Sequence, residues 1–122
     1  MGWLTGEQKA RVLGSASLFV LPSQQENFGI VVAEAMAAGT PVVVSEAVAL
    51  SGAVRGADAG WLAPLDSIGL ARVLSEAISS PSERARRGAA GRILAEGRYR
   101  WRAVARELAT RYEALAARRR AA

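Results

Sequence analysis

The chain has 122 residues, 51% hydrophobic and 22% charged, with no cysteine and no histidine. That length and balance predict one folded domain, and the missing residue types exclude a disulfide framework, a thiol nucleophile, a histidine base and a Cys/His zinc site. The net charge of +5 is uneven, since residues 1–61 carry three basic and five acidic groups and residues 62–122 carry thirteen and six.

Trp3-Leu4 can close a strand, and Thr5 or Gly6 can start a short helix through Gly14 with Val12 and Leu13 turned inward. Leu18-Phe19-Val20-Leu21 is a continuous apolar run stopped by Pro22-Ser23, the pattern of a strand covered on both faces in a parallel sheet. A polar loop, Gln24-Gln25-Glu26-Asn27, leads to Phe28-Gly29. From there Ile30, Val31, Ala33, Ala35, Met36, Ala37 and Ala38 predict a helix of small and apolar residues, closed by Gly39 with Pro41 beyond it. Val42-Val43-Val44 reads as a second buried strand and Gly60-Trp61-Leu62-Ala63 as a third.

Further on, Asp66 or Ser67 can cap a helix to about Ser79 with Leu70, Val73, Leu74, Ala77 and Ile78 on one face. Ser82 can cap another, to about Glu96. A last helix from about Trp101 carries Trp101, Val104, Ala105, Leu108, Tyr112 and Leu115 as one apolar stripe, suited to a core or interdomain role. The class is therefore α/β: a partial Rossmann-like, three-layer domain with a parallel sheet, followed by C-terminal helices. Residues 1–122 form a single domain, about 1–65 the α/β part and about 66–122 the helical part. Three strands make a thin parallel sheet, so the chain reads as the later portion of a larger α/β domain with an unpaired edge, a feature that predicts self-association or marginal stability.

Its apolar runs fall far short of the roughly twenty residues that span a bilayer, and no signal-peptide pattern opens the chain. The expected location is cytoplasmic, with peripheral attachment at the inner face of the membrane through Arg118–Arg120 as a variant.

The segment from Pro22 to Met36 carries the chemistry, because it joins the carboxyl end of a buried strand to a helix N-terminus, where open α/β sheets bind ligands and free amides attract anions. Gly29 either lets the amides of Phe28, Gly29, Ile30 and Val31 approach a diphosphate or sugar, or only permits a tight turn. Glu34 is a carboxylate in an apolar helix, costly to bury without partners. Side chains tilt toward the helix N-terminus, so it leans toward the loop of Glu26, and both carboxylates can address the hydroxyls of one ligand. The plainer reading makes Glu34 a solvated position and Glu26 a helix-dipole partner.

Glu26 and Glu34, with Phe28-Gly29 between them, follow Phe19-Val20-Leu21-Pro22-Ser23 and precede Ala35-Met36-Ala37-Ala38-Gly39-Thr40-Pro41-Val42-Val43. This E-x7-E stretch closely resembles the nucleotide-sugar-binding domain of family 4 glycosyltransferases, and weaker similarity continues to Tyr99 and Trp101. The resemblance implies a retaining hexosyltransferase of the two-domain GT-B fold, of which this chain is part of the C-terminal domain, with most of the acceptor held by a missing N-terminal domain. It implies Glu26 as the catalytic residue at the transferred sugar, Asn27, Phe28, Gly29 and Ile30 as donor-binding, and Glu34 on the ribose hydroxyls. Its partners would be a nucleoside diphosphate sugar as substrate and a sugar, lipid or small-molecule acceptor, with no cofactor and no metal. The family's diphosphate-binding cations have no counterpart here, since neither Lys9 nor Arg11 stands in the corresponding context. The turn after Val44 departs as well, reading Ser45-Glu46-Ala47-Val48-Ala49-Leu50-Ser51. A fragment without its N-terminal domain lacks a closed cleft and is expected not to turn over.

Two rival classes fit less well. A basic helical module for nucleic acid or an anionic membrane would use the arginines of the second half, but these are interspersed with Glu83, Glu96, Glu107 and Glu113, the pattern of a solvated surface without specific nucleic-acid binding. A glycosidase using Glu26 and Glu34 would need them on opposite sides of its substrate, whereas one loop–helix segment puts them on one wall.

Overall fold

Val42, Val43 and Val44 are almost wholly inaccessible, and each such burial favours folding by about 1.5 to 3 kcal/mol. They belong to the central strand of a parallel sheet, in a computed structural model that describes residues 2–25 and 29–121. The elements run α1 (Gly6–Ser15), β1 (Phe19–Leu21), α2 (Ile30–Ala37), β2 (Val42–Ser45), α3 (Ser51–Ala57), β3 (Gly60–Ala63), α4 (Ser67–Ser79), α5 (Pro81–Arg98) and α6 (Trp101–Ala121). The sheet order is β1-β2-β3, with Phe19 beside Val42, Val42 beside Gly60, and Leu21, Val44 and Leu62 in line.

Because side chains alternate along a strand, this register sorts the core into two layers. Phe19, Leu21, Val42, Val44 and Leu62 meet Leu13 of α1, Val32, Ala35 and Met36 of α2, Val54 of α3 and Ala95 of α5. On the other face Leu18, Val20, Val43, Trp61 and Ala63 meet Val73 and Ala77 of α4. The expected α/β class with helices on both faces of a parallel sheet is thus present.

Local chemistry sets most boundaries. Thr5 and Gln8 form a reciprocal capping box that starts α1, and Asp66 accepts from the Gly69 amide at 2.6 Å to start α4. α2 is followed, after its C-cap Ala38, by Gly39, whose φ of 78° suits a residue without a Cβ. α5 then crosses close to this turn, and a Cβ on Gly88 would lie 2.3 Å from the Gly39 carbonyl oxygen.

Several expectations are corrected. Trp3 and Leu4 lie outside any strand, and Trp3 is fully exposed. Val12 faces outward, since Leu13 takes the one side of α1 that meets α2. β1 is half-buried where full cover was expected, because among the described residues it has a hydrogen-bonded neighbour on one side only. α3 was not anticipated, because seven residues with two glycines and a single buried residue, Val54, show no readable period. Ser80, not Ser82, precedes α5, with Pro81 at its first turn, and the helix reaches Arg98. Ile78 is exposed, and the stripe of α6 is largely uncovered, with Leu108, Tyr112 and Leu115 all exposed.

Candidate functional site

The carboxyl ends of β1 and β2 are tied together where the site was expected. Ser45, fully buried at the end of β2, donates its hydroxyl to the Ser23 carbonyl, and Ser23 donates its own to the Gln25 carbonyl at 3.1 Å. A serine after three valines thus anchors the loop that leaves β1. Glu26, Asn27 and Phe28, the catalytic candidate and two of the donor-binding candidates, lie outside the described residues.

Gly29 is the N-cap of α2, in the left-handed conformation at φ 62° and ψ 42°. It is buried and has no side chain to cap the first turn; its carbonyl accepts from the amides of Val32 and Ala33 at 2.8 and 3.3 Å. Ile30 is exposed at the same helix end. Gly29 and Ile30 therefore stand at the loop–helix junction, in the first turn of a helix, where amides lack partners within the helix.

α2 buries Val32, Ala35 and Met36 and turns Ile30, Ala33, Glu34 and Ala37 to a groove of about 410 Å³. Tyr99, Arg100 and Val104, where α5 meets α6, form the opposite wall. Glu34 pays little desolvation here, since its side chain is 35% exposed and its Oε1 lies 2.9 Å from Lys9 Nζ of α1. Lys9 was not identified from the sequence as part of the site. The signal available was its position one turn before Leu13, on the helix face that meets α2.

Within the basic second half, Arg86, Arg87, Arg92, Arg100 and Arg111 are held in ion pairs. Arg86 pairs with Asp58 and Glu83 at 2.8 and 2.7 Å, Arg87 with Asp58 and Glu83 at 3.0 and 3.2 Å, Arg100 with Glu96 at 3.4 Å, and Arg111 with Glu107 at 2.5 Å. The Arg86 hydrogen bond, opposed by desolvation and aided by Arg87, draws the Glu83 carboxyl down from 4.5 to about 2, and Glu83 in turn holds Arg86 above its usual value. Arg87 also donates to the Gly60 carbonyl and lies 4.4 Å from the Trp61 ring, so it braces the start of β3. Among the described residues no three acidic, histidine or cysteine side chains gather as metal ligands.

This arrangement, a parallel sheet with a glycine-led helix after a buried strand, has counterparts among solved structures. The fold matches sucrose-phosphate synthase from Thermosynechococcus elongatus with a TM-score of 0.86 and 32% identity, over 96% of this chain and 30% of that one. It is the GT-B class of α/β fold. The chain belongs to the glycosyl transferases group 1 family, whose family model matches residues 1–93. Among its relatives, an MMP alpha-(1->4)-mannosyltransferase of Mycolicibacterium hassiacum is 38% identical over 94% of this chain, and a phosphatidyl-myo-inositol mannosyltransferase of Mycobacterium leprae is 39% identical over 95%. The chain spans 28% and 31% of the lengths of these two relatives.

Proposed function

We propose that this chain is the donor-binding portion of a retaining glycosyltransferase that moves a hexosyl group from a nucleoside diphosphate sugar to an acceptor hydroxyl. Family membership supports the reaction class. The observation that carries the donor role is the junction of Gly29 with α2, where an N-terminus without a side-chain cap sits one turn before a half-exposed Glu34. In this reading Glu26 acts at the transferred sugar. The amides of Asn27, Phe28, Gly29 and Ile30 hold the sugar and diphosphate and stabilise the leaving group's charge, and Glu34 accepts from the ribose hydroxyls. No metal takes part.

The acceptor is a sugar, lipid or small molecule, most of it held by a domain outside this chain. The reaction is placed in the cytoplasm, a reading supported by the cysteine-free sequence, with Arg118–Arg120 as a contact to an anionic membrane face. Without the remaining domain the chain binds donor and does not turn it over.

Titrating UDP, GDP and ADP into isotopically labelled protein tests the reading. At millimolar ligand one of the three should shift the Gly29 and Glu34 amide resonances, and Glu34→Gln should weaken that binding roughly tenfold, as expected for a lost bond to a charged acceptor. If none of the three nucleotides moves these resonances, the chain is not a donor site.

A further inference from the structure

Glu34 is held by a residue from another element. Leu13 buries its side chain against α2, and its carbonyl accepts from the buried Thr40 hydroxyl at 2.5 Å, so α1 is fixed on α2. Lys9, one turn before Leu13, thereby reaches Glu34 at 2.9 Å. Both side chains are partly exposed, 43% for Lys9 and 35% for Glu34, so the pair neither neutralises a deeply buried charge nor adds much stability. The other charged groups on the groove, Glu96 and Arg100, pair with each other. What Lys9 does is occupy one carboxylate oxygen. A carboxylate has about four acceptor positions, so an ammonium on Oε1 leaves Oε2 open to hydroxyls and fixes the plane in which they are met.

We infer that Lys9 is a positioning residue of the donor site, orienting Glu34 so that its carboxylate recognises the vicinal hydroxyls of a ribose and rejects a 2′-deoxyribose. This rests on the assignment of Glu34 to the donor ribose.

Calorimetric titration of UDP, GDP and ADP with their 2′-deoxy forms decides it, using wild type, Lys9→Gln, Lys9→Arg, Glu34→Gln and the Lys9→Gln/Glu34→Gln pair. Wild type should prefer the ribonucleotide about tenfold, the worth of one bond to a charged acceptor. Lys9→Gln should cut that preference to about threefold, leave the deoxy form's affinity and the melting temperature unchanged, and add nothing to Glu34→Gln. Lys9→Arg, which keeps the cation, should recover most of the preference. An unchanged preference in Lys9→Gln, beside a lost one in Glu34→Gln, overturns the role of Lys9 alone. Equal losses for ribo and deoxy forms overturn it too and assign Lys9 to the diphosphate. A wild type that binds none of these nucleotides, or has no ribose preference, overturns the assignment of Glu34 and the inference with it.

Discussion

Glu34 and Glu83 are both carboxylates facing cations, yet their surroundings give them different uses. Glu34 meets one lysine beside an open groove, whereas Glu83 is gripped by Arg86 and Arg87 on α5. A carboxyl whose folded value is lowered contributes stability above its unfolded value and loses it as the pH falls through the folded one. Glu83, held near 2 against 4.5, therefore withdraws its contribution between about pH 4.5 and pH 2. Because the group is solvent-exposed, that contribution is small and weakened by salt. Urea midpoints measured across this range should fall less steeply in Glu83→Gln than in wild type, and the difference should shrink in high salt. Identical slopes would show that the Arg86 and Arg87 contacts do not hold Glu83 in solution.

At the scale of elements, the packing of α5 on the end of α2 depends on glycine at Gly88, where a Cβ would lie 2.3 Å from the Gly39 carbonyl oxygen. Gly97, in the same helix, has nothing within 4 Å of its Cβ position. Gly88→Ala should destabilise the chain by about 1 to 3 kcal/mol, the usual cost of overpacking. Gly97→Ala should stabilise it by about 0.5 to 1 kcal/mol through a less flexible unfolded chain. Thermal unfolding of the two variants checks this, and a Gly88→Ala protein that melts with wild type would mean α5 does not approach α2 so closely. Neither glycine stands out in the sequence, where both read simply as weak helix formers.

For the whole molecule, the two sheet edges differ. β3 is largely buried, with Arg87 donating to its Gly60 carbonyl, while β1 is half-buried and, among the described residues, pairs with β2 alone. A strand with free backbone groups invites pairing with another copy. The 122-residue chain should therefore associate with rising concentration in sedimentation experiments. Truncation after Arg100 separates this edge from the exposed stripe of α6, no described side chain of which belongs to either buried core cluster. Association that survives truncation belongs to β1, and association lost with α6 would refute the edge.

Sequence alone determined the elements whose causes are local: helix starts within one residue of the caps Thr5 and Asp66, the valine run of β2, the Gly39 stop, and the apolar faces of α1 and α4 carried by Leu13, Val73 and Ala77. It also singled out Gly29, Ile30 and Glu34, because a glycine at a strand–helix junction and a carboxylate in an apolar helix are anomalies visible without coordinates. The unpaired edge was expected from the sequence, but only the tertiary structure decided how far β1 is uncovered there, that α6 lies largely uncovered, that α3 exists, and that Lys9 faces Glu34. Each of these depends on which elements lie side by side. A lysine's charge is read from its own position, but its partner is set by how α1 docks on α2, through Leu13 and Thr40.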